Sequence, residues 1–473
     1  NYVVVLVLDS GGGGGIHRPV TLVETKHIDD LLKSPFFGKP ALKSADWVKD
    51  AIIYEVYLRS FSKQGNFAGL ERRIPELKSL GVTVLWLMPI HPVGKTNRKG
   101  TLGSPYAVQD YYGINSEFGT LQDFKRLLNA VHKNGIKLII DLVANHTSWD
   151  SKLITEHPDW FTRNEKGTIV APNADWTDVA DLDYSKPGLR HYMLEMMLYW
   201  VRDVSIDGFR CDMAELVPID FWEEARATMN KIKPVMMLAE GSIPEHHMKA
   251  FDLTSSWNVY NVLDPVINGK KPATVFDELL KAESLQFPTG ALRMRFNTSH
   301  DKNAWDAPAV EKFGMQGLKL SAVLVNTLPG VPLIYTAEEV ANNKKLSLYE
   351  KVDVNWNASH DMEELYQTLF LLRRAHKALS RGEMIKIQSD HDAEVYAFFR
   401  IAGKDKVFTV LNFSREARTT TLTIPMARLF AGEKRTFMQD IFTRERIEVG
   451  AKSPDSLAVS LEPQEYRVYV FGK

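Results

Sequence analysis

The sequence predicts an α/β protein: a (β/α)8 TIM barrel with a small excursion after strand 3 and a C-terminal all-β sandwich domain. From Trp47 to about residue 380, short apolar runs without polar alternation are separated by amphipathic helical patterns. Such a series predicts a parallel sheet covered by helices. Residues 147–186 form a stretch too long for an ordinary connection between elements. Beyond Gly382 the pattern changes to short, alternating strands.

Eight segments are candidate barrel strands. The five clearest are Ile52–Tyr57, Val82–Met88, Lys137–Val143, Ile206–Asp212 and Val235–Glu240. The three weaker ones are Phe251–Leu253, Leu292–Phe296 and Val331–Tyr335, the last containing Pro332. An open doubly wound sheet alternates in the same way. It is the weaker alternative, because the chain has neither a G-x-G-x-x-G after the first strand nor a P-loop.

Helix boundaries follow from capping residues. Thr120 and Asp123 form a predicted capping box before the helix Leu121–Lys133. A second helix is predicted to begin near Pro187, with Ser185 as its N-cap. Both helices lie between predicted strands, as the barrel requires.

The chain divides into an N-terminal extension (1–46), the (β/α)8 barrel (47–380) with an inserted small domain (147–186), and a C-terminal β-sandwich domain (383–473). The extension is left out of the fold prediction because an apolar segment, Asn1–Leu8, precedes five consecutive glycines, Gly11–Gly15. This segment could be a secretory segment followed by a linker, or a processing remnant. The lack of a basic region and of a small-residue cleavage site argues against the first, so both remain open. The sequence does not determine the compartment, and of the possible locations a secreted or periplasmic one is favoured.

Composition excludes several classes of function. The net charge of −1, without a dense Lys/Arg run, argues against nucleic acid as the main partner. No apolar stretch reaches the roughly 18 residues of a membrane span. A single cysteine, Cys211, excludes an intrachain disulfide and a cysteine metal site. The oligomeric state is not determined by these features.

Three carboxylates end predicted strands. Asp212 closes I-D-G-F-R-C-D, Glu240 closes V-M-M-L-A-E, and Asp301 closes L-R-M-R-F-N-T-S-H-D. Neighbouring parallel strands lie about 4.8 Å apart, so acids at the same end of adjacent strands approach within roughly 5 Å, as the two acids of a retaining glycosidase do. Arg210 lies two positions before Asp212 on the same face and is expected to hold the pKa of Asp212 down.

Four segments in chain order carry a resemblance to a known family. They are D-L-V-A-N-H (Asp141–His146), G-F-R-C-D (Gly208–Asp212), the strand ending at Glu240, and F-N-T-S-H-D (Phe296–Asp301). With three flanking pieces, P-Y-A-V-Q-D-Y-Y, A-D-L-D and G-V-P-L-I-Y, the chain resembles the α-amylase superfamily, glycoside hydrolase family 13, over residues 47 to about 380.

The resemblance implies a retaining hydrolase of α-1,4-linked glucans in starch or maltodextrins, which works through a covalent glycosyl-enzyme and needs no organic cofactor. It makes Asp212 the nucleophile, Glu240 the acid/base and Asp301 a third catalytic acid. Substrate-binding roles fall on Tyr106, His146, Arg210 and His300. The alternatives are a cyclomaltodextrinase or neopullulanase-like hydrolase, an α-glucan transglycosylase with the same three acids and, less favoured, a non-catalytic carbohydrate-binding relative.

A structural Ca²⁺ is left open. Asn145 and Asp181 stand where many amylases ligate calcium, but the ion takes 6 to 8 oxygen ligands and the sequence identifies only two. Departures from the family pattern concern neighbouring positions. Ser299 replaces the usual Asn, Ala337 the usual Gly, and Glu215-Leu216 the Lys-His pair that follows the nucleophile in many endo-amylases.

Overall fold

The structure is a computed structural model that describes residues 28–432 and 435–472. Its strands, numbered in chain order, are β1 (Ile53–Val56), β2 (Val84–Leu87), β3 (Lys137–Leu142), β4 (His146–Ser148), β5 (Val179–Asp181), β6 (Gly208–Cys211), β7 (Met236–Ala239), β8 (Leu253–Ser255), β9 (Leu292–Arg295), β10 (Val331–Tyr335), β11 (Glu383–Ser389), β12 (Val395–Ala402), β13 (Asp405–Asn412), β14 (Arg418–Thr423), β15 (Thr436–Asp440), β16 (Arg446–Val449), β17 (Ser456–Leu461) and β18 (Tyr466–Gly472).

The α-helices are α1 (Ile28–Leu32), α2 (Asp46–Lys49), α3 (Leu58–Phe61), α4 (Phe67–Leu80), α5 (Leu121–Lys133), α6 (Lys152–Glu156), α7 (Pro187–Leu198), α8 (Ile219–Asn230), α9 (His246–Lys249), α10 (Trp257–Ile267), α11 (Val275–Gln286), α12 (Ala309–Thr327), α13 (His360–Ala375), α14 (Lys377–Arg381) and α15 (Met426–Leu429).

The predicted barrel is confirmed. The strands β1, β2, β3, β6, β7, β8, β9 and β10 pair in parallel in that order, and β10 pairs with β1 to close the circle. Each of the eight overlaps one predicted segment. All four residues of β2 are buried, as expected of a strand with side chains inside the barrel on one face and helices on the other.

The predicted excursion follows β3. Its two ends are held together by an antiparallel ribbon in which β4 pairs with β5, so that His146 lies opposite Asp181. The ribbon continues directly from the carboxyl end of β3, the end at which barrel active sites collect. The excursion therefore overhangs that end.

One of the two capping predictions is correct. Thr120 caps α5 through the Asp123 N–H, and the Asp123 side chain bonds the Thr120 backbone in return. The N-cap of α7 is Lys186, which makes no side-chain capping bond, so the prediction of Ser185 is wrong. Ser185 instead donates its N–H to the Asp183 carboxylate at 3.0 Å, which places it in the preceding turn.

The C-terminal domain is all-β and antiparallel, with the strand order β16-β15-β18-β13-β12-β11-β14-β17. Strand β11 pairs with β12 along most of its length and with β14 through its last two residues. Met438 of β15 and Val459 of β17, near opposite ends of this order, belong to one hydrophobic cluster. The single hydrogen-bonded sheet thus supplies the two facing layers of the predicted sandwich.

Strand β12 joins this domain to the barrel. Tyr396 and Phe398 belong to the large cluster that fills the barrel and its helices, whereas Ala397 and Phe399 belong to the cluster inside the C-terminal domain. Alternate side chains of one strand are buried in two cores, which explains its nearly continuous apolar sequence.

Residues 28–46, part of the predicted extension, lie against the barrel. The backbone N–H of Ala41 donates to the Thr289 carbonyl at 2.9 Å, and that of Leu42 donates to the His247 carbonyl at 2.7 Å. The segment Asn1–Leu8 and the glycine run lie outside the described residues. Across the described ranges, no helix combines the length and the apolar character needed to cross a bilayer.

Candidate active site

The backbone brings Asp212 and Glu240 side by side. Cys211 of β6 pairs with Ala239 of β7, so each acid is the first residue beyond its strand. The Asp212 N–H donates to the Leu142 carbonyl at 2.9 Å, and the Glu240 N–H donates to the Cys211 carbonyl at 3.0 Å. The ladder therefore extends to both acids and holds their backbone atoms in place.

One guanidinium contacts three carboxylates. Arg210 is buried, and its Nη1 donates to Asp141 Oδ1 at 2.9 Å and to Asp212 Oδ1 at 3.0 Å. Its Nη2 lies 2.7 Å from Glu240 Oε2. Asp141 faces Arg210 directly because the two residues pair in register between β3 and β6. The side chain of Arg210 thereby fixes the relative positions of Asp212 and Glu240.

The net effect on Asp212 differs from the expectation. Burial and the carboxylates of Glu240, Asp141 and Asp301 raise the pKa of Asp212, and the Arg210 guanidinium acts against them. The predicted direction of the Arg210 contribution is right, but burial outweighs it. Asp212 therefore sits among acids that compete for the same cation.

His300 is held as a cation. Its Nδ1 lies 2.5 Å from Glu55 Oε1, and its Nε2 lies 3.4 Å from Asp301 Oδ2. Burial acts against the charged ring, but the carboxylates of Asp301 and Glu55 outweigh it and raise the pKa of His300 to about 9. Both ring nitrogens therefore carry protons near neutral pH and both donate.

Tyr106 completes this group. Its ring stacks on His300 with centroids 5.2 Å apart, and its hydroxyl lies 2.8 Å from His300 Nε2. The same hydroxyl donates to Asp141 Oδ2 at 3.1 Å. The Tyr106 ring is thereby fixed in the floor of the pocket.

His146, unlike His300, is neutral. Burial lowers the pKa of His146 to about 4, so the ring is neutral near pH 7. The Trp176 ring of the excursion lies 5.4 Å from the His146 ring, and the Tyr111 hydroxyl donates to the His146 carbonyl at 2.7 Å. A neutral imidazole can donate from one nitrogen and accept at the other, which suits a sugar hydroxyl.

A cavity of about 190 Å³ gathers nearly all the predicted site residues. Its lining includes Asp212, Glu240, Asp301, Tyr106, His146 and His300. Arg210 does not line the cavity and contacts the acids from the barrel interior. A larger cavity of about 1000 Å³ is lined instead by residues such as Arg293 and Gly330 near the amino ends of β9 and β10, and by none of the predicted ones.

Sequence reasoning missed Glu55 and left Asp141 without a role. Glu55 is a fully buried acid within the apolar run of β1, and Asp141 opens the segment D-L-V-A-N-H. An acid inside a strand that is otherwise apolar was the available signal for Glu55, since buried carboxylates are rarely left unpaired. Trp86 was also missed, and its indole donates to Asp141 Oδ2 at 3.1 Å.

The two predicted calcium ligands lie at the root of the excursion. The Leu182 N–H donates to the Asn145 carbonyl, which brings the two strands of the ribbon together at this point. The amide Nδ2 of Asn145 lies 3.3 Å from His146 Nδ1, and burial raises the pKa of Asp181. Within the described ranges, no group of three or more His, Cys, Asp or Glu side chains is arranged to hold a metal. A Ca²⁺ here would need backbone carbonyls and water for most of its ligands, and it stays a prediction.

Two departures from the family pattern have structural consequences. Ala337 adopts φ 67°, in the left-handed region that favours the glycine usual at this position. The Glu215 carboxylate accepts a short hydrogen bond from the Ser242 N–H, so it ties the loop that follows Glu240. Leu216 beside it is half exposed. On the side of the pocket next to β7, this chain therefore has a carboxylate bound to the loop and an exposed Leu where many endo-amylases have a Lys-His pair.

Comparisons with known proteins agree with this geometry. The family described as alpha amylase, catalytic domain, matches residues 47–381. The crystal structure of a maltogenic alpha-amylase, AmyB, from Thermotoga neapolitana is 32% identical, with a TM-score of 0.82 over 90% of this chain and 100% of that one. An alpha-amylase from Lactobacillus plantarum is 30% identical, with a TM-score of 0.79 over 90% of this chain and all of the other.

A curated relative, alpha-amylase MalA of Haloarcula japonica, is 27% identical over 80% of this chain and 57% of its own length. This chain thus spans little more than half of that relative. The family match covers well over half of the chain, and the barrel, the three strand-end acids and the likeness to the Thermotoga structure all point the same way. The chain belongs to the α-amylase family, glycoside hydrolase family 13.

Proposed function

We propose that this protein is a retaining glycoside hydrolase that cleaves α-1,4-glucosidic bonds in starch, maltodextrins or related α-glucans. One observation carries the proposal: the carboxylates of Asp212 and Glu240 bind adjacent nitrogens of the same Arg210 guanidinium. This shared partner favours the roughly 5 Å separation of a retaining pair over the wider gap, about 6.5–9.5 Å, that an inverting enzyme needs for a water molecule.

In the first step, Asp212 Oδ attacks the anomeric carbon of the sugar in the pocket, and Glu240 protonates the glycosidic oxygen as its bond to that carbon breaks. The products are a covalent glycosyl-enzyme and a leaving glucan with a new hydroxyl. The Met213 N–H donates to Glu240 Oε2 at 3.0 Å, and the Arg210 guanidinium binds the same oxygen, so the other oxygen is left to carry the proton.

In the second step, Glu240 removes a proton from water, which attacks the anomeric carbon and releases Asp212. Two inversions leave the anomeric configuration unchanged. Asp301, a third of whose side chain is exposed in the pocket, and the His300 cation are proposed to bind hydroxyls of the same sugar. Their opposite charges suit an acceptor and a donor on neighbouring hydroxyls.

The test is the stereochemistry and identity of the products. Proton NMR of early products from maltotriose should show the α-anomer at the new reducing end. An initial β-anomer would contradict the retaining geometry. Chromatography of digests of starch, maltotriose, cyclodextrin and pullulan then separates the candidates. Preference for cyclodextrin or pullulan would favour the alternative, a cyclomaltodextrinase or neopullulanase-like hydrolase. A protein named cyclomaltodextrinase from Geobacillus thermopakistaniensis is 24% identical over 92% of this chain.

A further inference from the structure

A solvent-exposed tryptophan borders the proposed active site. Trp305 lies in the helical turn Lys302–Asp306, which follows Asp301 directly. Its exposed fraction is 56%, the highest among the large apolar side chains of the described residues. It lines the same cavity as Asp301. A single exposed apolar side chain is ordinary on a protein surface, but this indole lines the cavity that holds Asp212, Glu240 and Asp301, where a bound glucan would meet it.

The backbone that carries Trp305 is held rigidly. Asn303 is buried, and its Nδ2 donates to the Lys344 carbonyl at 3.3 Å. Its Oδ1 accepts the Leu346 N–H at 2.6 Å. This side chain thereby fastens the turn after β9 to the loop after β10. A ring presented from a fixed backbone loses little conformational entropy when a ligand covers it.

A second aromatic ring adjoins the first. Tyr349, in the loop after β10, has its ring centroid 5.8 Å from that of Trp305 at an angle of 60°. Tyr349 also lines the cavity. The Leu102 N–H donates to the Tyr349 carbonyl at 3.0 Å, which fixes the backbone that carries this ring. The two rings form a fixed aromatic edge on the cavity.

The barrel order indicates which side of the cleaved bond this edge serves. Glu240 follows β7 and must face the leaving glucan, since it protonates the departing oxygen. Strand β8 separates β7 from β9, and Trp305 leans from β9 towards the loop after β10, away from β7. The aromatic edge therefore lies on the side of the glucan that stays attached to Asp212.

We propose that Trp305, flanked by Tyr349, is the stacking platform for the glucose unit that precedes the one cleaved. The C–H face of a glucose ring is apolar and flat enough to cover an indole, while its hydroxyls remain in water. This inference rests on the proposed function and adds to it a preference for substrates with at least two glucose units on the retained side.

The experiment compares p-nitrophenyl α-glucoside with p-nitrophenyl α-maltoside. Release of p-nitrophenol counts only the bond to that leaving group, so the additional glucose lies on the retained side. The unaltered protein should favour the maltoside in kcat/KM. Trp305→Ala should lose about 5- to 20-fold with the maltoside, mainly through KM, and change little with the glucoside. Trp305→Phe should keep most of the preference.

Phe437→Ala is the matched control, because it removes another exposed aromatic ring, on β15 of the C-terminal domain. It should leave both substrates unaffected. Equal losses with the two substrates in Trp305→Ala, or no preference for the maltoside in the unaltered protein, would overturn the inference. Absence of p-nitrophenol release from both substrates, together with no attack on maltotriose, would refute the proposed function instead.

Discussion

The pair formed by Glu55 and His300 supplies the sharpest prediction. Glu55 is fully buried, and its Oε1 lies 2.5 Å from His300 Nδ1. The substitution Glu55→Gln keeps the size of the side chain and its carbonyl oxygen but removes one negative charge. The other groups that face His300 stay in place: Asp301 and the Tyr106 hydroxyl at Nε2, Arg210 and Asp141 nearby, and the Trp86 ring at its edge.

The magnitude follows from the charge that is lost. The pKa of His300 stands at about 9, although burial acts against the cation. An opposite charge at this distance shifts a pKa by about 1 to 3 units, so Glu55→Gln should bring the pKa of His300 to between about 6 and 8. The ring would then begin to lose its proton near neutral pH. It would no longer carry a proton on both nitrogens, and its hydrogen bond to the sugar hydroxyl would weaken.

The same shift has a consequence for stability. The folded-state pKa of His300 lies above its ordinary value of 6.5. Its contribution to the free energy of unfolding is therefore fully present below pH 6.5 and is lost as the pH rises through 9. The shift amounts to about 3 kcal/mol at most. Glu55→Gln should flatten this decline between pH 6.5 and 9.

The assay is NMR titration of the His300 ring, with kcat/KM on maltotriose measured beside it at neutral pH. The ring of the unaltered protein should titrate near pH 9 and that of Glu55→Gln one to three units lower, where kcat/KM should fall as the ring loses its proton. Glu339→Gln serves as the control, since Glu339 is another buried acid, accepts from the Tyr54 hydroxyl and makes no contact with His300. An unchanged titration midpoint of His300 in Glu55→Gln would refute the reasoning.

Two further predictions concern the nucleophile and the metal. Asp212→Asn should lower kcat on starch by about 10⁴-fold or more while thermal unfolding stays near normal, and near-normal hydrolysis would remove Asp212 from its role. If Asn145 and Asp181 share a Ca²⁺, excess chelator should lower the Tm and the activity together, and Ca²⁺ rather than Mg²⁺ should restore both. A Tm that does not respond to chelator would contradict the metal site.

Local patterns predicted most of the fold. The eight barrel strands follow from apolar runs, and the capping box of Thr120 and Asp123 is complete within four residues. The N-cap of α7 was predicted wrongly because two polar residues compete at this turn. Asp183 takes the Ser185 N–H, so Ser185 belongs to the turn and not to the helix. Whether a nearby polar residue caps the helix or closes the preceding turn depends on backbone geometry that the sequence pattern does not show.

The candidate site was predictable only in part. Asp212, Glu240 and Asp301 stand out because each ends a strand within a motif, whereas Glu55 depends on a partner 245 positions away. Trp305 has no sequence signal of its own, since a tryptophan is by default expected to be largely buried. The pKa of Asp212 was expected to be low because the guanidinium was visible in the sequence. The burial that raises the pKa of Asp212 and outweighs the guanidinium could not be read from the sequence.

The charge balance of the pocket suggests what the whole arrangement stabilises. Three carboxyl groups line it, those of Asp212, Glu240 and Asp301, and those of Glu55 and Asp141 lie behind them, against two cations, Arg210 and His300. Even with Glu240 protonated for the first step, the negative groups outnumber the cations. A neutral glucan in the ground state gains little from this excess of negative charge. The transition state of glycoside cleavage has oxocarbenium character and carries positive charge on the sugar ring, which the excess favours. Burial and the carboxylates of Glu240, Asp141 and Asp301 raise the pKa of Asp212, so the approach of that positive charge relieves repulsion at this acid. The electrostatic cost of assembling them is therefore recovered mainly in the transition state, where it accelerates the reaction and does not merely tighten binding.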